Sequence, residues 1–141
     1  MLPGAGATAA ACRVPKYTSA CAHHGWSGGG VLATLIAARR PDVASLVTVA
    51  APLDLAAWTA HHRVSPLDVR PSPADAAAGL RGVPQVHLAG ARDTVVPAGI
   101  VRGFVERLPP EAGARVEIVD VDHRCCWAER WPALRTGLPL P

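Results

Sequence analysis

Short apolar runs alternate with amphipathic segments along most of this 141-residue chain. Three runs, at 44–50, 83–89 and 115–119, predict strands, and the first of them predicts a buried strand. A strand covered on both faces reads as a continuous apolar stretch rather than as an alternating one. A weaker strand is predicted at 17–22, where few residues are large or β-branched.

The intervals between these runs predict helices. One apolar stripe of a helix over 28–40 would be formed by Val31, Leu32, Leu35 and Ile36. Further helices are predicted over 54–62, 72–80, 97–108 and 126–135, the last of them broken at Pro132. Strand–helix alternation is typical of parallel sheets, so the sequence predicts an α/β fold with about four mostly parallel strands and flanking helices.

The length and the composition are those of one globular domain. Hydrophobic residues make up 50% of the chain and charged residues 18%. Residues 1–16 are predicted to be irregular or disordered. Residues 17–141 are predicted to form the α/β domain.

The turn between the first predicted strand and the first predicted helix reads Gly25-Trp26-Ser27-Gly28-Gly29. This string fits the G-x-S-x-G nucleophile elbow, in which a serine lies at the tip of a strained strand-to-helix turn. Small neighbours are needed because the two backbones approach closely there. The N–H of Gly28 would be one donor of an oxyanion hole. A plain glycine-rich turn is the alternative, since so short a motif also occurs by chance.

Two further residues complete a chemical pattern with the serine. Ser27, Asp93 and His123 each follow a predicted strand. The carboxyl ends of parallel strands meet at one edge of a sheet, so the three side chains are expected to lie together. A hydroxyl, an imidazole and a carboxylate are the groups that nucleophilic catalysis by serine requires.

Other carboxylates compete for the role of the acid. Asp93 could instead cap a helix or a turn, and Asp54 also follows a predicted strand. Asp120 and Asp122 could be solvated loop carboxylates, or Asp122 could support its turn. Position after a strand does not by itself separate Asp93 from Asp54, so Asp54 is the rival acid.

The remaining histidines and the tryptophans also have simpler interpretations. His87 lies within a predicted strand and is expected to be a packed residue. The pairs His23-His24 and His61-His62 are interpreted as polar surface. Trp26 could line an acyl pocket or simply pack, and the last helix is expected to be anchored in the core by Trp127 and Trp131.

Three segments together resemble the α/β-hydrolase family: the string from Gly25 to Gly30, the segment Gly90-Ala91-Arg92-Asp93-Thr94-Val95-Val96-Pro97, and Asp122-His123. The order serine, acid, histidine is also that of the family. The resemblance runs from about residue 18 to residue 135. It implies catalytic roles for Ser27, Asp93 and His123, a small-molecule acyl substrate such as an ester, and no cofactor.

The chain departs from the family before the serine. The family fold has about eight strands, of which about four precede the elbow strand and lead to the second oxyanion donor. Only 26 residues precede Ser27. The sequence therefore predicts a truncated fold with an open edge on the elbow strand, which would favour a homodimer. An inactive hydrolase-like fragment that acts as an interaction or dimerisation module is the alternative function.

Charge and composition argue against several other classes of protein. The formal net charge is +3, and no basic run points to nucleic acid. No apolar stretch is long enough for a membrane span. The run from Ala9 to Cys12 resembles a lipoprotein cleavage site but has no charged leader, so the compartment stays open, with the cytoplasm as the default.

The four cysteines are Cys12, Cys21, Cys125 and Cys126. Neighbouring cysteines rarely meet disulfide geometry, so Cys125 and Cys126 are not expected to pair with each other. The spacing of Cys12, Cys21 and His23-His24 matches no zinc pattern. Buried or unpaired thiols and no metal are therefore predicted.

Overall fold

The centre of the molecule is a five-stranded sheet. This computed structural model describes residues 8–13 and 20–140. In chain order, which is also the order in the sheet, the strands are β1 (Thr8–Arg13), β2 (Ala20–Trp26), β3 (Val43–Val49), β4 (Gln85–Gly90) and β5 (Ala114–Val119). Strands β2 to β5 are parallel, and β1 runs antiparallel to β2. The predicted α/β fold with four parallel strands is confirmed.

Helices connect the parallel strands, as parallel pairing requires. They are α1 (Gly28–Ala37), α2 (Leu55–His62), α3 (Pro73–Ala76), α4 (Ala98–Glu106) and α5 (Trp127–Leu134), and α3 runs on as a 3₁₀ turn over Ala77–Leu80. In the ranges that the structure describes, no helix has both the length and the hydrophobicity needed to cross a bilayer.

The side chains of β3 alternate between two apolar cores. Leu46 packs with Phe104 between the sheet and the helices α1 and α4. Val47 and Val49 belong to the core on the other face, which Trp127 of α5 completes. Both faces of the sheet are thus covered, which explains why this strand is a continuous apolar run in the sequence.

A chain of polar side chains crosses the sheet beside Phe104. His87 is fully buried, accepts at Nδ1 from Thr48 Oγ1 (2.8 Å) and donates from Nε2 to Gln85 Oε1 (3.2 Å). The amide of Gln85 then donates to two backbone carbonyls. Burial lowers the pKa of His87 to about 3, so the imidazole is neutral. The prediction that His87 is a packed residue is confirmed.

The N-terminal region differs from the prediction. Part of the segment that was expected to be irregular forms β1, and the strand before Ser27 is Ala20–Trp26 rather than 17–22. Residues 1–7 and 14–19 lie outside the described part of the chain. His23 and His24 extend the strand because β2 is paired on both sides, and this pairing overrides weak local propensity. The interpretation of the pair as polar surface is wrong, since His23 is only 5% exposed.

The edge of β2 that was expected to be open is occupied. Strand β1 pairs along it from Thr8, opposite Gly25, to Arg13, opposite Ala20. The edges of the described sheet are therefore the outer sides of β1 and β5. The expected open edge on β2 is wrong, and a homodimer through another sheet edge stays a prediction.

Two predictions about helices are also wrong. Helix α5 continues through Pro132, because only two helical residues follow it and the lost hydrogen bond affects the last turn alone. In α1, Leu32 and Ile36 are 50% and 41% exposed, whereas the small residues Ala33 and Ala37 are fully buried. Small side chains face the sheet because this helix runs close to it.

The cysteines of the described chain do not follow the prediction of unpaired thiols. Cys125 and Cys126 form a disulfide in the turn between β5 and α5, where the chain changes direction. Cys21 is disulfide-bonded as well. The expectation that the neighbouring pair stays unbonded is therefore wrong.

Candidate active site

Ser27 lies in the turn that joins β2 to α1. Its backbone is in the left-handed region, with φ 53° and ψ −124°. A residue with a side chain pays roughly 1–3 kcal/mol for such a conformation. Two backbone hydrogen bonds hold the turn: the Ser27 N–H donates to the carbonyl of Val49 (2.8 Å), and the Ser27 carbonyl accepts from Gly30 (3.0 Å). The serine side chain is thereby fixed at the carboxyl end of β2.

Gly25, two residues before Ser27, is needed for space rather than for an unusual dihedral. A Cβ at Gly25 would lie 2.2 Å from the carbonyl oxygen of Gly29, which is backbone and cannot swing away. Gly25 has no positive φ, so the strained dihedral of the turn falls on Ser27 itself. Gly28 is exposed and begins α1, where helix N–H groups have no partner within the helix.

The loops after β4 and β5 are docked on each other at the same edge of the sheet. A Cβ at Gly90 would lie 2.7 Å from the carbonyl oxygen of Val121, so only glycine allows this approach. The N–H of Arg92 donates to the same carbonyl (3.1 Å). This docking brings Asp93, in the first loop, to His123, in the second.

His123 lies between Ser27 and Asp93. Its Nε2 is 3.1 Å from Ser27 Oγ, and its Nδ1 is 2.8 Å from Asp93 Oδ2. A carboxylate can only accept, so Nδ1 carries the proton and Nε2 is left to accept from the serine hydroxyl. The imidazole is therefore positioned to take the proton of Ser27 when that hydroxyl attacks an electrophile.

The carboxylate of Asp93 is held on both sides. Its side chain is fully buried, and that of His123 is 10% exposed. Oδ1 accepts from the backbone N–H groups of Val95 (2.8 Å) and Val96 (2.7 Å), while Oδ2 accepts from His123. A buried charge is tolerated only when it is hydrogen-bonded in this way.

Trp26 lies against the same histidine. The two ring centroids are 5.2 Å apart and the planes are tilted by 38°. The indole also packs on the core that contains Trp127, and its Nε1 has no hydrogen-bond partner among the described residues. The structure thus shows the packing role, and the role in an acyl pocket stays a prediction.

The competing carboxylates are engaged elsewhere. Asp54 caps α2 and forms an ion pair with Arg107. Asp122 accepts from the backbone N–H groups of Cys125 and Arg124, and these bonds hold the pKa of its carboxyl below the usual range. Asp122 therefore supports the turn after β5, as one of its predicted roles requires.

Two side chains of α2 reach the loop of Asp93, which the sequence did not predict. Trp58 Nε1 and His62 Nε2 both donate to the carbonyl oxygen of Val95, at 2.8 and 2.7 Å. His62 is a half-exposed polar residue, as the interpretation of polar surface predicts, but it also has this specific hydrogen-bond partner. No motif marks the two residues, but their spacing of four places them on one face of a helix.

A metal centre has no support in the described part of the chain. No group of three or more histidine, cysteine, aspartate or glutamate side chains is arranged there to hold an ion. The chemistry described above needs only side chains and backbone N–H groups.

Comparisons with known proteins add information on the fold. The sequence matches no protein-family model and no curated protein. Among solved structures, an esterase from Pyrococcus furiosus matches with a TM-score of 0.64 and 18% identity, over 82% of this chain and 49% of that one. An α/β serine hydrolase homologue from Coxiella burnetii matches with a TM-score of 0.53 and 22% identity, over 80% of this chain and 44% of that one.

The chain thus spans about half the length of these two structures. At this level of identity the likeness concerns the backbone and not the chemistry of particular side chains. Over about four fifths of its length, this chain has the fold of the α/β hydrolases.

Proposed function

We propose that this protein is a serine hydrolase that acts on an ester or a related acyl substrate. One observation carries the proposal: Ser27, His123 and Asp93 form a continuous series of hydrogen bonds, 3.1 and 2.8 Å long, at the carboxyl edge of a parallel sheet. The fold shared with an esterase and a serine hydrolase homologue supports the same class of reaction.

The proposed mechanism has two halves. Ser27 Oγ attacks the acyl carbon while Nε2 of His123 takes the hydroxyl proton, and Asp93 stabilises the imidazolium that forms. The N–H of Gly28 donates to the oxyanion. The leaving group then departs with the proton from His123. In the second half, a water molecule gives a proton to Nε2 of His123 and its oxygen bonds to the acyl carbon. The bond from Ser27 Oγ to that carbon then breaks, His123 returns the proton to Ser27 Oγ, and the acid product leaves.

Trp26 would contribute to this site in two ways. Its ring covers one side of His123, which limits the directions in which the imidazole can turn. It also adjoins Ser27 in the chain, so we propose that it forms part of the wall against which the acyl group binds. Aromatic side chains provide large apolar surfaces for such contacts.

The alternative function, an inactive fragment that acts as an interaction or dimerisation module, is not favoured. It depended on an unpaired edge beside the strand that leads to Ser27. Strand β1 fills that edge. Reaction at Ser27 separates the two functions directly.

The test is labelling by a fluorophosphonate probe. In the proposed reaction Ser27 Oγ forms a bond to phosphorus, fluoride leaves, and His123 accepts the hydroxyl proton. Wild-type protein should be labelled, and Ser27→Ala should not. Ser65→Ala is the matched control, because Ser65 is an exposed loop residue, and it should be labelled like the wild type.

Turnover of an activated ester should follow the same pattern across the three proteins. Labelling that persists in Ser27→Ala would assign the reaction to another residue. A folded wild-type protein that neither labels nor turns over the ester would overturn the proposed function and favour the interaction module.

A further inference from the structure

Helix α2 is connected to the loop of Asp93 through one carbonyl group. The oxygen of Val95 accepts from Trp58 Nε1 (2.8 Å) and from His62 Nε2 (2.7 Å). The two donor rings lie side by side, with centroids 4.7 Å apart. A carbonyl has two lone pairs, so these two bonds use its full accepting capacity.

The same peptide group also holds the acid. The carbonyl of Val95 and the N–H of Val96 belong to one planar amide. That N–H donates to Asp93 Oδ1 at 2.7 Å. The two donors of α2 therefore hold this amide at its oxygen, and the N–H of the same amide holds Asp93.

Hydrogen bonds in series of this kind strengthen one another. Donors at a carbonyl polarise the amide, which makes its N–H a better donor to the carboxylate. Asp93 in turn orients His123, because its Oδ2 accepts a hydrogen bond from Nδ1 of His123 at 2.8 Å. A single hydrogen-bonded path thus runs from α2 to the imidazole.

We propose that Trp58 and His62 are positioning residues that orient His123 through the Val95–Val96 peptide and Asp93. The proposal rests on the proposed function as far as it concerns rates. Neither residue is assigned a contact with substrate. Without their two donors the peptide can rotate, Asp93 loses a fixed partner, and the imidazole is less well aligned with Ser27.

The test uses variants that remove or keep a donor. Trp58→Phe and His62→Leu each remove one donor, and the double variant removes both. His62→Gln keeps an N–H that can reach the carbonyl. Ala60→Gln is the matched control, because Ala60 is an exposed residue of the same helix. His61 is not used for this purpose, since its ring packs against that of His62 with centroids 4.9 Å apart.

Two readouts are needed, and only one depends on activity. The first is the proton NMR signal of His123 Nδ1–H, assigned by its loss in His123→Ala. The second is kcat and KM for an activated ester. We expect the double variant to lose or broaden the NMR signal and to lower kcat between about 10- and 100-fold with little change in KM, as a small misalignment does. His62→Gln and Ala60→Gln should behave like the wild type.

Each outcome decides the proposal. A folded double variant with the wild-type NMR signal and wild-type kcat would overturn it. Loss of the signal in the double variant, with a signal in His62→Gln that is stronger than in His62→Leu, supports it. If the double variant does not fold, the two single variants decide, since each removes one donor. A wild-type protein without ester turnover, in which the signal still responds to these variants, would reject the hydrolase function and keep the positioning role.

Discussion

The two sides of the candidate site differ in how well their polar atoms are satisfied. On the side of Asp93 and His123, both carboxylate oxygens and both ring nitrogens have hydrogen-bond partners. On the side of β2, both ring nitrogens of His23, Nδ1 of His24 and Nε1 of Trp26 are buried without a partner among the described residues. A buried group left without a partner costs about 1–3 kcal/mol. The polar atoms on the side of Asp93 and His123 therefore stabilise one another, whereas burying the rings of β2 costs free energy of folding.

The difference shows which contacts determine each part of the site. The acid loop is fixed by its own backbone and by neighbouring loops. The strand that leads to Ser27 is fixed by its pairing with β1 and β3 and by the close approach of α1. We expect damage on the acid side to affect the reaction rate, and damage on the β2 side to affect folding as well.

The largest effect is expected from Asp93→Asn. An asparagine amide can donate to Nδ1 of His123 and stabilise the wrong tautomer, so Nε2 would no longer accept from Ser27. In enzymes with this arrangement the corresponding change lowers kcat about 10⁴-fold. Ester turnover and the rate of fluorophosphonate labelling measure it, and the melting temperature should change little.

Asp54→Asn is the control for that variant. Asparagine is as good a helix cap as aspartate, so α2 should keep its cap and lose only the ion pair with Arg107. Activity should stay at the wild-type level. Equal losses in Asp54→Asn and Asp93→Asn would mean that the acid has been wrongly assigned.

Gly25→Ala should damage the other side of the site. The new Cβ would lie 2.2 Å from the Gly29 carbonyl oxygen, so α1 and β2 must move apart. We expect at least a 100-fold loss of labelling rate and a lower melting temperature, because a shift of about 1 Å at Ser27 misaligns the nucleophile.

Gly99→Ala is matched to Gly25→Ala. Gly99 lies in α4 with open space where a Cβ would be placed, and alanine is the better helix former by up to about 1 kcal/mol. It should label normally and be at least as stable as the wild type. Similar behaviour of the two variants would show that the space around Gly25 is not critical.

The sequence predicted those strands that a short stretch of residues is enough to indicate. Strand β3 is an apolar run, β4 and β5 contain fewer apolar residues, and the ends of β4 and β5 place Asp93 and His123 on loops at one edge. The docking of those loops could not be predicted, because it depends on a close approach at Gly90 that only the folded chain shows. The roles of the three site residues remain predictions until they are tested.

The region before Ser27 could not be predicted for a different reason. Strand β1 has few β-forming side chains, and it exists through backbone pairing with β2. In α1, periodicity alone indicated that Leu32 and Ile36 face the sheet. The helix instead presents Ala33 and Ala37, because a helix that must approach a strand at Gly25 has room only for small side chains on that face.

A smaller effect, on the free energy of unfolding, should distinguish His87, whose ring nitrogens are hydrogen-bonded, from His23, whose ring nitrogens are not. His87→Leu should lower the free energy of unfolding at pH 7 by about 1–3 kcal/mol, because Thr48 and Gln85 lose their partner. His23→Leu should not lower it, since no bond within the described chain is lost and two unpartnered nitrogens are removed. Urea unfolding of both variants measures the difference, and equal destabilisation would contradict the distinction.

The dependence of stability on pH should follow from the same histidines. Burial lowers the pKa of His87 from 6.5 to about 3. As the pH drops below 6.5, this histidine is protonated in the unfolded chain but not in the folded one, so the free energy of unfolding falls. This residue alone should cost about 2 kcal/mol between pH 7 and pH 5. Burial also lowers the pKa of His23 and His24, which adds loss in the same direction. The loss should be smaller in His87→Leu, and an unchanged loss would show that His87 titrates normally.

The smallest effect concerns the backbone of Ser27. At φ 53° and ψ −124°, glycine avoids the strain that any Cβ causes, so Ser27→Gly should be more stable than Ser27→Ala by about 1 kcal/mol. Both variants lack the hydroxyl, so urea unfolding compares them independently of activity. At Ser65, which has no positive φ, the order should be the reverse, because glycine gains more freedom on unfolding. The same order at both positions would mean that the backbone of Ser27 is not strained. The free-energy cost on the β2 side would then come only from the buried ring nitrogens that lack partners.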